Sequence, residues 1–494
     1  MFDLVIRAGS VIDGTGAPRR IADVGVFEGK IAAIGAKLGP GRREVDAEGM
    51  LVTPGFVDIH THYDGQATWD PWVTPSSWHG VTTAILGNCG VGFAPVRRGS
   101  ESFLINLMEG VEDIPGTVLA EGVSFDWESF PDYIEALRAM PRVLDLGTQV
   151  PHGALRFYVM GDRGADHAAR PNDAEIERMG VLLEEALHEG ALGFTTSRTI
   201  KHRARDGRFT PSLSAREPEL IRLALAMKRA GKGVIEVNSD FGPGEFETMR
   251  AAAEIAGRPL SCLLVQIDSA PERWRETMAG IHAARARGQA AHAQVSCRPI
   301  GVLMGLETSV NPFTTHPAWK ALAHLSPKDR FARLKSDPTL RERLVTERPH
   351  DPATLKMAVT LTRTFLLDDT LDYEPAAEKS LPALARARGG DIWALALQHM
   401  MTEEGKGLLL NTFENYADND LEVVREMMVD EASVMGVADG GAHVGVICDA
   451  GSPTFLLSHW ARDRQRGARL PLEFLVGRQT RDTALAYGLT DRGV

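Results

Sequence analysis

The chain has 494 residues, 44% hydrophobic and 24% charged, a globular balance with length enough for one barrel and a satellite domain. A net charge of −12 argues against a nucleic-acid partner, and no apolar stretch reaches the length of a membrane span. Cys89, Cys262, Cys297 and Cys448 are too scattered for a disulfide framework or a zinc ribbon, and the first residues lack a signal-peptide pattern, so a reducing cytoplasmic setting is expected.

Residues 1–50 read as short strands. Leu4-Val5-Ile6, Ser10-Val11-Ile12, residues 22–26 and residues 30–34 are separated by Gly-rich turns such as Asp13-Gly14-Thr15-Gly16. From residue 50 onward apolar strands alternate with amphipathic helices. The strand candidates are 51–59, 80–87, 143–150, 190–196, 233–238, 260–266, 290–296 and 432–438. Asn172-Asp173-Ala174-Glu175 predicts a capping box on a helix that stops near Gly190. Ser214-Ala215-Arg216-Glu217 predicts another that ends at Gly231, and 244–256 and 271–287 follow the same logic. Eight strands alternating with helices favour a (β/α)8 barrel over a doubly wound sheet. The stretch 298–431 is too long for one crossover helix and predicts an insertion, with residues 301–317 as a loop-rich cap near the mouth.

The strand 51–59 ends in Asp58-Ile59-His60-Thr61-His62. Side chains at i and i+2 of a strand share a face, so His60 and His62 emerge together and can bind one divalent ion. In a barrel the chemistry gathers at the C-terminal strand ends. There the second strand offers Asn88-Cys89, the third His152, the fifth Asn238-Ser239-Asp240, the sixth Gln266, and the eighth Asp439-Gly440-Gly441-Ala442-His443. Cys89 reads as a thiolate ligand or a small buried hydrophobe. Asp439 can approach a metal-bound water or cap the following helix. His443 reads as a ligand, a substrate contact or a loop residue, with substrate contact favoured. His79, His167, His188, His202, His282 and His316 read as surface or structural.

Together these stretches resemble the amidohydrolase superfamily and, within it, the D-aminoacylase (N-acyl-D-amino-acid deacylase) branch. The resemblance is carried by residues 8–14, 29–31, 53–62, 87–90, 190–197, 439–443 and 479–493. It implies a (β/α)8 barrel over 54–485, part of a β-sandwich over 1–53, and the start of the remaining sandwich strands over 486–494. It implies a metal-dependent hydrolase that cleaves a non-peptide carbon–nitrogen amide bond of a small molecule. His60 and His62 match the first-strand ligands, Cys89 the thiolate ligand of the branch, and Asp439 the catalytic carboxylate and a further ligand.

The sequence departs from that pattern in three places. Asn238 and Gln266 stand where the branch carries histidine ligands, which favours one tightly bound Zn2+ over two, because amides are poorer zinc ligands than imidazole. Ile267-Asp268-Ser269 and Val444-Gly445 replace the basic residues that hold a substrate carboxylate, leaving His152, Arg198, Asn238, Gln266, Arg298 and His443 as the substrate-binding set. The chain stops near where the closing sandwich strands would begin, which predicts an uncovered N-terminal sheet and association into a homo-oligomer. The alternatives are a cyclic amide or imide hydrolase, and a catalytically silent barrel acting as a binding or scaffold protein.

Overall fold

A computed structural model describes residues 1–447 and 449–494; Cys448 lies outside the described residues. The N-terminal strands are β1 (Phe2–Val11), β2 (Arg20–Phe27), β3 (Lys30–Gly35), β4 (Gly41–Asp46) and β5 (Leu51–Val52). They form one sheet in the order β3-β2-β1-β4, with β5 beside the end of β1. One face covers a small core of Val11, Ala22 and Val24. Ile21, Ile31, Ile34, Val45 and Leu51 remain exposed in the sheet.

The sheet is pinned at a bulge. The β1–β2 register shifts between Ile6 and Gly9, where Ala8 takes a left-handed φ of 55°. The buried Asp23 carboxylate accepts from the backbone N–H of Ala8 at 2.9 Å and of Leu38 at 3.0 Å, and from Arg7 Nη1 at 2.8 Å. Those bonds hold its carboxyl down to about 2.

The barrel strands are β6 (Phe56–Asp58), β7 (Val81–Leu86), β8 (Asp145–Thr148) with its continuation β9 (Val150–Pro151), β10 (Gly193–Arg198), β11 (Val234–Ser239), β12 (Leu260–Leu263) and β13 (Ala291–Val295). After the insertion strands β14 (Ile300–Met304), β15 (Thr364–Leu367) and β16 (Leu408–Glu414) comes the last barrel strand, β17 (Ser433–Met435). Each of the eight expected strands is present, and all pair in parallel, as β6-β7-β8 and as β17-β13-β12-β11-β10-β9. The two ladders meet where the chain runs from β8 into β9. They meet again past β17, where Thr61 bridges Gly440 in parallel. The strand order of the two sheets is that of a (β/α)8 arrangement, with short contacts rather than a ladder between them.

The crossover helices follow the sequence signals. In the helix Asp173–Glu189, Asn172 accepts from the Glu175 N–H at 2.9 Å while Glu175 accepts from the Asn172 N–H at 2.8 Å, and Gly190 ends it. The helix Glu217–Ala230 ends at Gly231 as expected, but its start differs: Arg216 is the cap residue, and Ser214 donates instead to the carbonyl of His167. Residues 301–317 are not purely loop, because Ile300–Met304 is a strand. The insertion folds as an antiparallel sheet, β14-β16-β15, with helices that include Pro327–Ser336, Pro352–Leu361 and Ile392–Met400. It has its own core around Met304, Leu334, Leu361, Trp393 and Met400. Near the chain's last residues, Arg492 donates to Thr83 at 2.9 Å and to Asp145 at 2.8 Å. Among the described residues no helix is long and apolar enough to cross a membrane.

Asp23→Ala leaves two part-buried N–H groups without their acceptor and should cost about 1 kcal/mol, with faster amide exchange at Ala8 and Leu38. The carboxyl is depressed in the folded state, so its contribution is present above the unfolded value of about 3.9 and is lost as pH falls towards about 2. A parent stability profile with no acid-side slope that Asp23→Ala removes would contradict this.

Candidate metal centre

Sharp backbone turns place the donors at the mouth of the barrel. Cys89 sits at φ 55° between Gly87 and Gly90, both also left-handed. A Cβ at Gly90 would come within 2.6 Å of the Ser197 backbone nitrogen, so only glycine lets this turn press against β10. Asp439 and His443 also take left-handed φ values, 48° and 54°, in the segment after β17. Such strained positions persist where the surroundings over-determine them. Here the Asp439 N–H donates to the His60 carbonyl at 3.1 Å and the His62 N–H to the Gly440 carbonyl at 2.8 Å.

His60, His62 and Cys89 are buried, with ligand atoms within 4.8 Å of one another. Cys89 Sγ lies 3.3 Å from His60 Nε2. Asp439 Oδ1 lies 3.4 Å from His60 Nε2 and 3.6 Å from His62 Nε2. Tetrahedral zinc with Zn–N near 2.0–2.1 Å and Zn–S near 2.3 Å puts neighbouring donors about 3.3–3.6 Å apart; the His60–Cys89, His60–Asp439 and His62–Asp439 pairs have that spacing, with His60, His62 and Cys89 as the mutually close set. The His60 tautomer fits too. Gln294 Nε2 donates to Ser261 at 2.8 Å, which turns Gln294 Oε1 to accept from His60 Nδ1 at 2.9 Å and leaves the Nε2 lone pair for a metal.

Electrostatics point the same way. Burial, with Glu236, Glu112 and Asp439 nearby, pushes the Cys89 thiol far up, so a thiolate there needs a cation. Burial also lowers His62 to about 4, which keeps it neutral. Burial works to raise Asp439, but His62, His60 and His443 outweigh it and hold the carboxyl well below the usual range.

A cavity of about 280 Å3 opens over the centre. Its walls include Leu263, Leu264, Val265, Ile300 and Phe413, with Asn238, Lys201, His202, Arg273 and His443 as polar members. Asn238 donates to Cys89 Sγ at 3.4 Å and lies 3.3 Å from His202 Nε2. His202, expected at the surface or in a structural role, is therefore a member of the site. Glu112 and Glu236 went unnoticed in the sequence; an acid at an apolar position of a helix or strand is the signal that marks them. Glu236 accepts from the Cys89 N–H at 3.2 Å and fixes the strained turn.

Four residues expected against substrate lie elsewhere. His152 is tied to Thr196 and Glu219, both at 2.9 Å, behind the barrel wall. Arg198 pairs with Glu245 and donates to the Ala215 carbonyl. Gln266 accepts from the Ala417 N–H at 3.0 Å and donates to Asp418 at 3.0 Å, because β12 ends at Leu263 and the chain then turns towards the insertion. Arg298 forms a buried pair with Asp449 at 2.6 Å and lies over the Tyr373 ring.

The amidohydrolase family profile matches residues 43–494. D-aminoacylase of Alcaligenes xylosoxydans xylosoxydans is 39% identical over 196 residues, 40% of this chain and 37% of the relative. N-acyl-D-glutamate deacylase of the same organism is 33% identical over 299 residues, 58% of this chain and 55% of the relative. The chain therefore spans between about a third and a little over half of these relatives. A crystal structure of D-aminoacylase superposes over 100% of this chain and 87% of its own, with 26% identity and a TM-score of 0.65. The structure of N-acyl-D-glutamate deacylase from Bordetella bronchiseptica, complexed with zinc and a phosphonate inhibitor, gives the same coverage, 25% identity and a TM-score of 0.63. With its profile match over nearly the whole sequence and its matching fold, this chain belongs to the amidohydrolase family.

Proposed function

We propose that the chain is a zinc-dependent hydrolase of N-acyl amino acids, cleaving the amide between the acyl group and the amino nitrogen. The observation that carries this reading is the ligand-like spacing of His60, His62, Cys89 and Asp439 beneath a single cavity. These four residues would hold one ion, since Asn238 and the apolar Leu263, Leu264 and Val265 supply no imidazole at the fifth and sixth strand ends. A zinc ion bound there lowers the pKa of a bound water and polarises the amide carbonyl.

The side chains supply the rest. Asp439 is ionised at neutral pH and takes the proton from the attacking water, then delivers it to the leaving nitrogen. The Gln294 contact keeps His60 in one tautomer throughout. Leu263, Leu264, Val265, Ile300 and Phe413 offer an apolar berth for an acyl chain. Lys201 is occupied by Glu414, whereas Arg273 lines the cavity with no carboxylate partner among the described residues and donates only to the Asp240 carbonyl at 3.4 Å. Its guanidinium suits the substrate carboxylate. The names of the relatives, D-aminoacylase and N-acyl-D-glutamate deacylase, support the same class.

A screen of N-acyl amino acids, cyclic imides and aryl amides with added zinc tests the reading, which fails if only the imides or none are hydrolysed. Asp439→Asn should leave the fold intact and lower turnover about 10²–10⁴-fold; parent-like kcat would reduce Asp439 to a structural role. Elemental analysis of dialysed protein should find about one zinc per chain, and stoichiometric zinc should restore chelator-treated protein. Two tightly held equivalents would sink the single-ion arrangement. Arg273→Met should raise KM about tenfold or more for an N-acyl amino acid and leave its carboxamide analogue unaffected; equal effects on both would remove Arg273 as the anchor.

A further inference from the structure

Glu112 ends the helix Glu101–Glu112, whose buried face is Phe103, Leu104, Leu107, Met108 and Val111. It occupies the next position of that apolar face and is 1% exposed. No Lys or Arg pairs with it among the described residues, and its Oε1 has no hydrogen-bond partner. Asp439, Asp64 and Glu236 all act on it repulsively. An ionised carboxylate in such a place is strongly unfavourable unless a cation is close. Packing alone would put a leucine here.

The other oxygen, Oε2, lies 3.3 Å from His62 Nε2 and 3.5 Å from His443 Nε2. The first distance matches the spacing between His60 Nε2 and Cys89 Sγ, also 3.3 Å, which is that of neighbouring donors on one ion. The position of Glu112 is held from two sides. The His443 N–H donates to the Glu112 carbonyl, and Asp113, left-handed at φ 50°, accepts from the Gly445 N–H at 3.0 Å and from Ser309 at 3.2 Å. The helix end and the segment after β17 are thereby locked together around this one carboxylate.

We propose that Glu112 is a metal-binding carboxylate, which offers an anionic oxygen to the ion from the His62 side while His443 orients it. The assignment rests on the metal centre proposed above. Glu112 would add a carboxylate donor to that one ion from a helix end outside the barrel strands.

Zinc affinity of the purified full chain, measured by chelator competition, tests this in the parent, Glu112→Gln, Glu112→Leu and His443→Asn. His443→Asn removes a partner of the ligand and should cost about 10–100-fold in affinity. Both Glu112 variants should lose more than that, while their metal-free forms unfold no earlier than the parent, since each removes a buried charge. The Leu variant fills the apolar helix face and guards against a misfolded Gln variant. Loading with Co2+ should give a visible absorption spectrum that changes in the Glu112 variants. Parent-like zinc affinity and an unchanged cobalt spectrum in those variants would overturn this assignment alone. A parent chain that takes up no zinc would overturn the metal centre and this assignment with it.

Discussion

Two backbone hydrogen bonds, from the Asp439 N–H to the His60 carbonyl and from the His62 N–H to the Gly440 carbonyl, sew the end of the first barrel strand to the segment after the last. These bonds, with the Thr61–Gly440 bridge, close the ring at this seam, and they bring the imidazoles within reach of a carboxylate more than 370 positions away in the chain. Everything at the mouth depends on that seam. The Cys89 turn is set against it through His60, and Gln294 on β13 reaches across to fix the ring nitrogen. Because the contact is short, the left-handed residues Val437, Asp439 and His443 are needed to bend the backbone into place.

The centre is also an electrostatic problem. Asp58, Asp64, Glu112, Glu236 and Asp439 all have little or no exposure, Glu112 and Asp439 among the residues lining the cavity, and burial raises Asp58, Asp64 and Glu236 to about 7. Three basic side chains around the rim are taken up by other acids: Arg198 pairs with Glu245, Arg298 with Asp449, and Lys201 with Glu414. Among the described residues no Lys or Arg pairs with these acids, and a cation bound among them would contribute to folding as well as to chemistry.

Periodicity exposed the eight strands because they are continuous apolar runs in a sheet buried on both faces, and the Asn172–Glu175 capping box marked its helix. His60 and His62 were legible for a local reason, a spacing of two on one strand. Asn238 was legible as a strand end. Gln266 was misplaced because β12 stops at Leu263, three residues before the sequence run loses its apolar character. Glu112 and His202 were hidden for the opposite reason. They come from a helix end and a long loop, where no repeat fixes which way a side chain points, and only tertiary packing turns them inward. Arg198 and Arg298 show the converse, since both looked free in the sequence and both found buried or half-buried acids.

The insertion has a consequence for how such a protein changes over time. Its core around Met304, Leu361 and Trp393 is separate from that of the barrel, yet Ile300, Phe413 and Glu414 from its strands form part of the cavity wall. It is anchored to the barrel rim by the paired contacts between Gln266 and Asn415, at 2.8 and 2.9 Å. Ile300 and Phe413 belong neither to the insertion's cluster nor to the clusters that hold Cys89 and the Val57–Ile59 strand, so substitutions that reshape this part of the wall leave those cores untouched. Ligand preference can therefore change by substitution at the rim while His60, Cys89 and Asp439 stay in register.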